Sequence, residues 1–192
     1  MIADVSRRSA TPLRGEAKLR AALDGFAVPV QGRVALDVGA AAGGFTRVLL
    51  ERGARLVYAV DAGHGQLLGS LRQDPCVVNL EGVNLGDLEP SLVREPVELF
   101  TVDVSYLSLA DAAPQLENVR IAPDADLVAL VKPMFELGLA APPADQARLA
   151  EALNQAVAGV ERAGWTVVAT LPSRVTGARG AREHLLHARR AR

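Results

Sequence analysis

The chain reads as one α/β domain: a mostly parallel, seven-stranded sheet with helices on both faces. Three observations predict it. Strand-like apolar runs alternate with helix-like stretches along the whole length, as βαβ units require. One run, Asp126-Leu-Val-Ala-Leu-Val131, is apolar almost without interruption, the mark of a strand buried on both faces. A third run ends on Asp37 and leads through a glycine-rich turn into a helix, the arrangement that puts a ligand at the carboxyl end of such a sheet. With 192 residues, 49% apolar and 22% charged, the chain suits a single well-buried domain.

In order, Leu19, Ala22, Leu23 and Phe26 recur at helical spacing from Arg14 to Phe26, and Gly25 with Pro29 stop the pattern. Val34 to Asp37 is the first strand. Gly39, Gly43 and Gly44 form the turn, and the helix opening at Phe45-Thr46 points free N–H groups back at it. Arg55 to Val60 is a second strand ending at Asp61, at a strand tip where a ribose diol is bound. A helix is expected over Gly65 to Arg72 and a third strand over Cys76 to Leu80, with Gly82-Val83-Asn84-Leu85 at the carboxyl end of the sheet. Pro96 to Asp103 is the fourth strand, and Ser108 with Asp111 caps the next helix, whose length Pro114 leaves open. The fifth strand ends on Lys132-Pro133. The linker-like Gly138 to Ala144 then precedes a long helix over Asp145 to Ala163, a sixth strand over Trp165 to Leu171 and a seventh over Arg182 to Ala188.

The turn glycines lack dinucleotide spacing, and an acid stands two residues before the first of them. A carboxylate at Asp37 would repel a pyrophosphate but suits a cofactor carrying an ammonium and a sulfonium, which points to S-adenosylmethionine and not NAD. A ligand-free turn is the alternative these residues alone leave open. The single cysteine, Cys76, excludes internal disulfides and iron–sulfur clusters, and three scattered histidines make a zinc centre unexpected, so no metal is assigned. There is no long apolar run and no signal-peptide pattern, so the expected setting is cytoplasmic and free of membrane.

Charge is unevenly spread. Residues 1–20 carry +3 and residues 174–192 carry +5, which leaves −9 for the middle of a chain whose net charge is −1. If the two ends meet, they form one basic face on an acidic body, a surface for RNA. Nineteen of the 21 basic residues are arginine, and the two lysines are Lys18 and Lys132. Lys132 and Asp103 stand at the ends of central strands, where side chains face the ligand crevice. A lysine, unlike an arginine, can lose its proton in a desolvated site and act as a base.

The ordered motifs RGEAKL (14–19), LDVGAAAGGFT (36–46), VYAVDAGHGQL (57–67), RQDP (72–75), VDVSYLSL (102–109), LVKPMFE (130–136) and TGARGAREHLL (176–186) resemble the FtsJ-like ribose 2′-O-methyltransferases, most closely the TlyA/hemolysin A branch that methylates ribosomal RNA. The resemblance implies a Rossmann-like methyltransferase domain over residues 13–192 after a short extension, residues 1–12. It lacks the S4-type RNA-binding domain that the branch usually carries. It also implies a catalytic tetrad of Lys18, Asp103, Lys132 and Glu183. The cofactor contacts it implies are Asp37, Gly39, Gly43, Gly44 and Phe45 for the methionine part, Asp61 for the ribose, and Asn84, Leu85 and Asp103 near the adenine and sulfonium. In that scheme Lys132 takes the proton of a ribose hydroxyl, Asp103 orients its amine, and Glu183 holds Lys18 or the ribose. His64 stands where the family has tyrosine, Ala41-Ala42 replace a Ser-Thr pair, and the loop after Glu136 is short. A methyltransferase of small hydroxylated molecules, or a non-catalytic module that binds the cofactor or RNA, are the other readings.

Overall fold

Buried apolar strands set the centre of the sheet. In a computed structural model, which describes residues 12–190 apart from the side chain of Arg14, β1 (Val34–Val38) and β4 (Val97–Val102) pair in parallel at that centre. The expected extension, with Arg7 and Arg8, falls almost wholly outside the described residues, as does Arg192. Two parallel strands, β2 (Leu56–Asp61) and β5 (Ile121–Val131), flank the central pair, and β3 (Val77–Glu81) forms one edge. The last strand, β7 (His184–Arg190), enters antiparallel between β5 and the edge strand β6 (Trp165–Pro172). The order is therefore β3-β2-β1-β4-β5-β7-β6, the mostly parallel seven-stranded sheet expected.

Alternation of side chains builds one core on each face. Ala35, Leu99, Val128 and Leu185 pack against α1 (Arg14–Phe26) and α2 (Gly44–Glu51) through Leu19, Leu23, Val48 and Leu49. On the other face, Leu36, Phe100, Leu127 and Leu186 meet Leu109 and Ala112 of α4 (Leu109–Gln115) and Ala156 and Val160 of α6 (Gln146–Arg162). Two short helices, α3 (Gly69–Arg72) and α5 (Pro133–Glu136), complete the layers. Among the described residues, no helix is long and apolar enough to cross a membrane.

Three elements differ from expectation. The helix expected over Gly65 to Arg72 forms only from Gly69, because Gly65 is left-handed and the Glu81 carboxylate takes the N–H groups of Gln66 and Leu67 at 2.6 and 2.9 Å. The fifth strand begins at Ile121, ahead of the apolar run; its first half carries exposed Pro123 and Asp124 and a register shift against Val97/Leu99, so it lacks the apolar signature. The seventh strand runs to Arg190, so Arg189 and Arg190 lie at the end of the sheet away from the carboxyl ends of the parallel strands.

At that far end, Asp126 of β5 is 1% exposed and accepts from Arg33 Nη1 at 2.5 Å and Arg189 Nε at 3.1 Å, with His187 Nε2 at 2.7 Å. Burial pushes its carboxyl up, but these three partners outweigh burial and bring it down to about 2. The folded-state value lies below the unfolded one, so this contribution is present above about pH 4 and fades as pH falls toward 2. Asp126→Ala leaves buried donors without a partner and is expected to cost about 3–5 kcal/mol near neutrality, with the gap to wild type narrowing below about pH 4. Urea unfolding of both proteins across that range measures it; a pH-independent gap rules out the ionised pairings as its source.

Candidate active site

The strand order changes direction between β1 and β4: the chain steps outward from β1 through β2 to β3, then returns to pair β4 on the other side of β1. The carboxyl ends of the parallel strands open a crevice there, where ligands bind in such sheets. Three contiguous cavities, of about 240, 220 and 460 Å³, occupy it, and Gly39, Ala41 and Asp103 line all three. At Gly39, φ is +86° and an added Cβ would stand 2.5 Å from the Asp103 carbonyl oxygen, so only glycine lets the turn pass this close to β4.

The first lobe is a slot walled by Val38, Val60, Val83 and Val104, with Asp61 at one side and Tyr106 at the mouth. Asp61 accepts from Ala41 N–H at 2.8 Å through one oxygen and from Gly63 N–H at 2.7 Å through the other, which orients the carboxylate at the tip of β2 and leaves each oxygen capacity for a second donor. The second lobe lies over Gly44 and Phe45 and reaches Gly15 and Leu13 at the start of α1. Flat apolar walls beside a fixed carboxylate suit an adenosine. The Asp103 carboxylate at the junction of the lobes suits a cationic sulfonium, so the residues present fit S-adenosylmethionine.

The third lobe gathers Lys18, Asp103, Lys132 and Glu183. Lys132 follows β5 and its Nζ meets Asp103 Oδ1 at 2.5 Å and Ser105 Oγ at 2.8 Å. Lys18 comes from α1 and its Nζ meets Glu183 Oε2 at 2.5 Å, with both side chains nearly removed from water. The four residues thus form two lysine–acid pairs lining one cavity. Glu136, at the end of α5, accepts from Leu109 N–H at 2.6 Å and so ties the helix that begins after Lys132 to the start of α4; burial pushes its carboxyl up.

Not every residue singled out in the sequence faces the crevice. Asp37 is fully buried beneath it, and its two oxygens accept from Thr46 Oγ1 at 2.7 Å and Thr101 Oγ1 at 2.9 Å. Its expected contact with the cofactor's ammonium is therefore replaced by a clamp joining β1, α2 and β4. Gly43 turns its missing side chain toward Leu71 and Leu67, so it admits α3 and not a ligand. Asn84 bonds Asp87, and Leu85 is buried in the core; neighbouring Val83 lines the slot instead. Ala41, Gln66, Ser105, Tyr106 and Arg179 line the cavities without having been singled out as catalytic or cofactor-binding. Ser105 carried a signal, a hydroxyl two residues past Asp103 in the same motif, whereas nothing in the sequence marks Ala41, whose φ of +45° presents its N–H to Asp61.

Burial raises the Asp37 carboxyl to about 6, and the two threonine hydroxyls only partly offset it. The folded value lies above the unfolded one, so wild-type stability falls as pH rises from about 4 through 6. An asparagine in its place can accept from one hydroxyl and donate to the other without titrating. The stability difference between Asp37→Asn and wild type is expected to move in the variant's favour between about pH 4 and 7 and then level off. Denaturant titrations at half-unit intervals test this, and a flat difference refutes the buried-carboxyl account.

Known proteins share this chain's sequence and fold. The 16S/23S rRNA (cytidine-2′-O)-methyltransferase TlyA of Mycobacterium tuberculosis is 51% identical over 125 residues, which is 65% of this chain and 46% of that protein. The chain thus spans less than half the length of that relative. Hemolysin A of Brachyspira hyodysenteriae is 34% identical over 184 residues, covering 91% of this chain and 75% of that one. A solved structure from Streptococcus thermophilus superposes with a TM-score of 0.89 at 33% identity, over 97% of this chain and 70% of that one. Residues 12–190 match the family described as FtsJ-like methyltransferase. On that match and the arrangement of its crevice, the chain belongs to the FtsJ-like methyltransferase family.

Proposed function

We propose that the chain transfers the methyl group of S-adenosylmethionine to a ribose 2′-hydroxyl of RNA, ribosomal RNA first among candidates, in the cytoplasm. The observation that carries this reading is the third lobe, where Lys132 and Lys18, each held by an acid, face one cavity that opens onto the adenosine slot. The name of the Mycobacterium relative supports the choice of ribose and RNA.

The bound cofactor supplies an electrophilic methyl carbon on a positively charged sulfur. With the cofactor held in the neighbouring slot, Lys132 would take the proton of a hydroxyl placed in the third lobe. Asp103 and Ser105 fix the amine's direction and the carboxylate stabilises the ammonium produced. Lys18, anchored by Glu183, adds a second cation to the lining of the same cavity. Holding hydroxyl and methyl donor in line contributes the larger share of the acceleration. Asp61 binds the cofactor ribose from the tip of β2, and the apolar slot excludes water from the adenine.

The basic face expected from the two chain ends takes a narrower form in this reading. Arg20 is engaged by Glu51, Arg189 by Asp126 and Arg190 by Glu117, so among the described side chains of the two chain ends the guanidinium groups left for RNA are those of Arg174, Arg179 and Arg182, with Arg179 at the third lobe. The 460 Å³ third lobe is also large enough for a small hydroxylated molecule, the second reading.

Incubating the protein with labelled S-adenosylmethionine and ribosomal subunits, then mapping any methylated nucleotide, tests the first reading; transfer confined to small hydroxylated compounds selects the second. Lys132→Arg keeps the charge but removes any group able to deprotonate. It is expected to abolish transfer while S-adenosylhomocysteine affinity stays within about threefold. Single-turnover rates on the mapped RNA decide it, since near-normal turnover by this variant removes Lys132 as base. Asp61→Ala is expected to weaken S-adenosylhomocysteine by about 1–3 kcal/mol in calorimetry, the cost of leaving ribose hydroxyls without a charged acceptor, and unchanged affinity takes Asp61 out of the site.

A further inference from the structure

Most of the described arginine side chains have a partner. Among the described residues, nine form ion pairs with carboxylates, and Arg94 and Arg120 donate to backbone carbonyls. Of the described side chains, Arg162, Arg174, Arg179 and Arg182 remain without an acid or a hydrogen-bond acceptor. Three of these four fall within the segment that joins β6 to β7 and walls the third lobe, where Arg179 stands in one cavity with Lys18, Lys132, Asp103 and Glu183. All three are exposed.

The backbone that presents Arg179 is as unusual as its lack of a partner. Arg179 is left-handed, at φ 55° and ψ 29°, a region that side chains other than glycine, asparagine and aspartate rarely enter. The turn around it is closed by Gly177 N–H donating to Ala181 O at 2.8 Å and Ala181 N–H to Ala178 O at 3.1 Å. Strained backbone of this kind persists where its surroundings impose it, and it clusters at ligand clamps. Here it brings a long planar cation to the wall of the cavity that holds the two lysine–acid pairs.

We propose that Arg179, flanked by Arg174 and Arg182, is a phosphate subsite beside the reacting ribose, so that the site selects a nucleotide within a phosphodiester-linked strand over a free nucleoside or an uncharged hydroxylated molecule. The proposal rests on the RNA reading above and adds what makes the site discriminate. A guanidinium offers parallel N–H donors that match two phosphate oxygens, and this one has no intramolecular acid to displace first. The lysines cannot serve this purpose, because both are already paired.

The test is binding of a fluorescein-labelled oligouridine RNA of about ten nucleotides to the full chain, from about 50 to 300 mM KCl. Arg162→Ala, the remaining unpaired arginine and one that lies on α6 away from the third lobe, is the control matched in charge. Arg179→Ala is expected to weaken binding about five- to tenfold at 100 mM KCl and to reduce the slope of log affinity against log salt by about 0.7, the loss of one phosphate contact on a single strand. Arg162→Ala is expected to leave the slope unchanged, and Arg179→Lys to restore the slope with part of the affinity. Arg179→Gly, which the left-handed backbone accepts without strain, replaces the alanine variant if melting curves show that alanine disturbs the turn. A wild-type slope in Arg179→Ala and Arg179→Gly, with RNA still methylated by wild type, overturns the subsite and leaves the RNA reading standing. Equal losses in Arg162→Ala reduce the effect to net charge and also overturn it. Failure of the wild type to bind the oligouridine or to methylate any RNA removes the RNA reading and the subsite with it.

Discussion

The Lys18–Glu183 ion pair is the contact on which the arrangement of this protein turns. Its two side chains are 6% and 4% exposed, so both charges have left water and neither could stay there alone. The pair exists only if α1 lies on the face of the sheet toward which Glu183, the residue just before β7, is turned, and if β7 holds its antiparallel register between β5 and β6. A slip of one residue would turn Glu183 to the opposite face and strand Lys18. The same face of β7 carries Leu185 into the core beneath α1 and His187 against Phe26, 5.5 Å between ring centres, so three successive contacts along the strand fix one register.

Acidic residues divide between two tasks according to their depth. Asp37 and Asp126 are buried, fully hydrogen-bonded and turned inward, where they join strands and helices on opposite ends of the sheet. Asp61 and Asp103 stand at strand tips with part of their surface open, and they shape the charge of the crevice. Removing charge at the first two alters stability with pH; at the second two it changes the charge of the cavity lining. Glu183 belongs to both groups, since it is buried yet lines the third lobe.

Most of the fold was legible because parallel strands buried on both faces announce themselves, as Asp126–Val131 does, and because α1 and α6 repeat apolar residues at helical spacing. The direction of β7 was not legible: periodicity says which residues are buried and nothing about which way a strand runs. α3 was over-read because the capture of Gln66 and Leu67 by Glu81 is a contact between distant residues. In the site, the resemblance singled out the four charged residues that the third lobe gathers. It misled at Asp37 and Leu85, where a position beside the crevice in sequence is a buried position in space, and at Asn84, which is exposed and bonds Asp87. Arg179 escaped the tetrad because its significance lies in the absence of a partner, which only the full set of contacts reveals.

The antiparallel insertion of β7 also orders events in time. Lys18 and Glu183 are 165 residues apart, and closing a loop of that length costs roughly 4–5 kcal/mol of chain entropy before the pair gives anything back. During synthesis, β1, β2 and β4 emerge first and can form the cofactor slot, while the strand that completes the third lobe is made only after β6. A nascent chain can thus form the slot beside Asp61 before it holds the residue that anchors Lys18. Pairings between segments so distant also slow folding. Closure of the third lobe is then the last step this fold takes, and one that a chain released before β7 would lack.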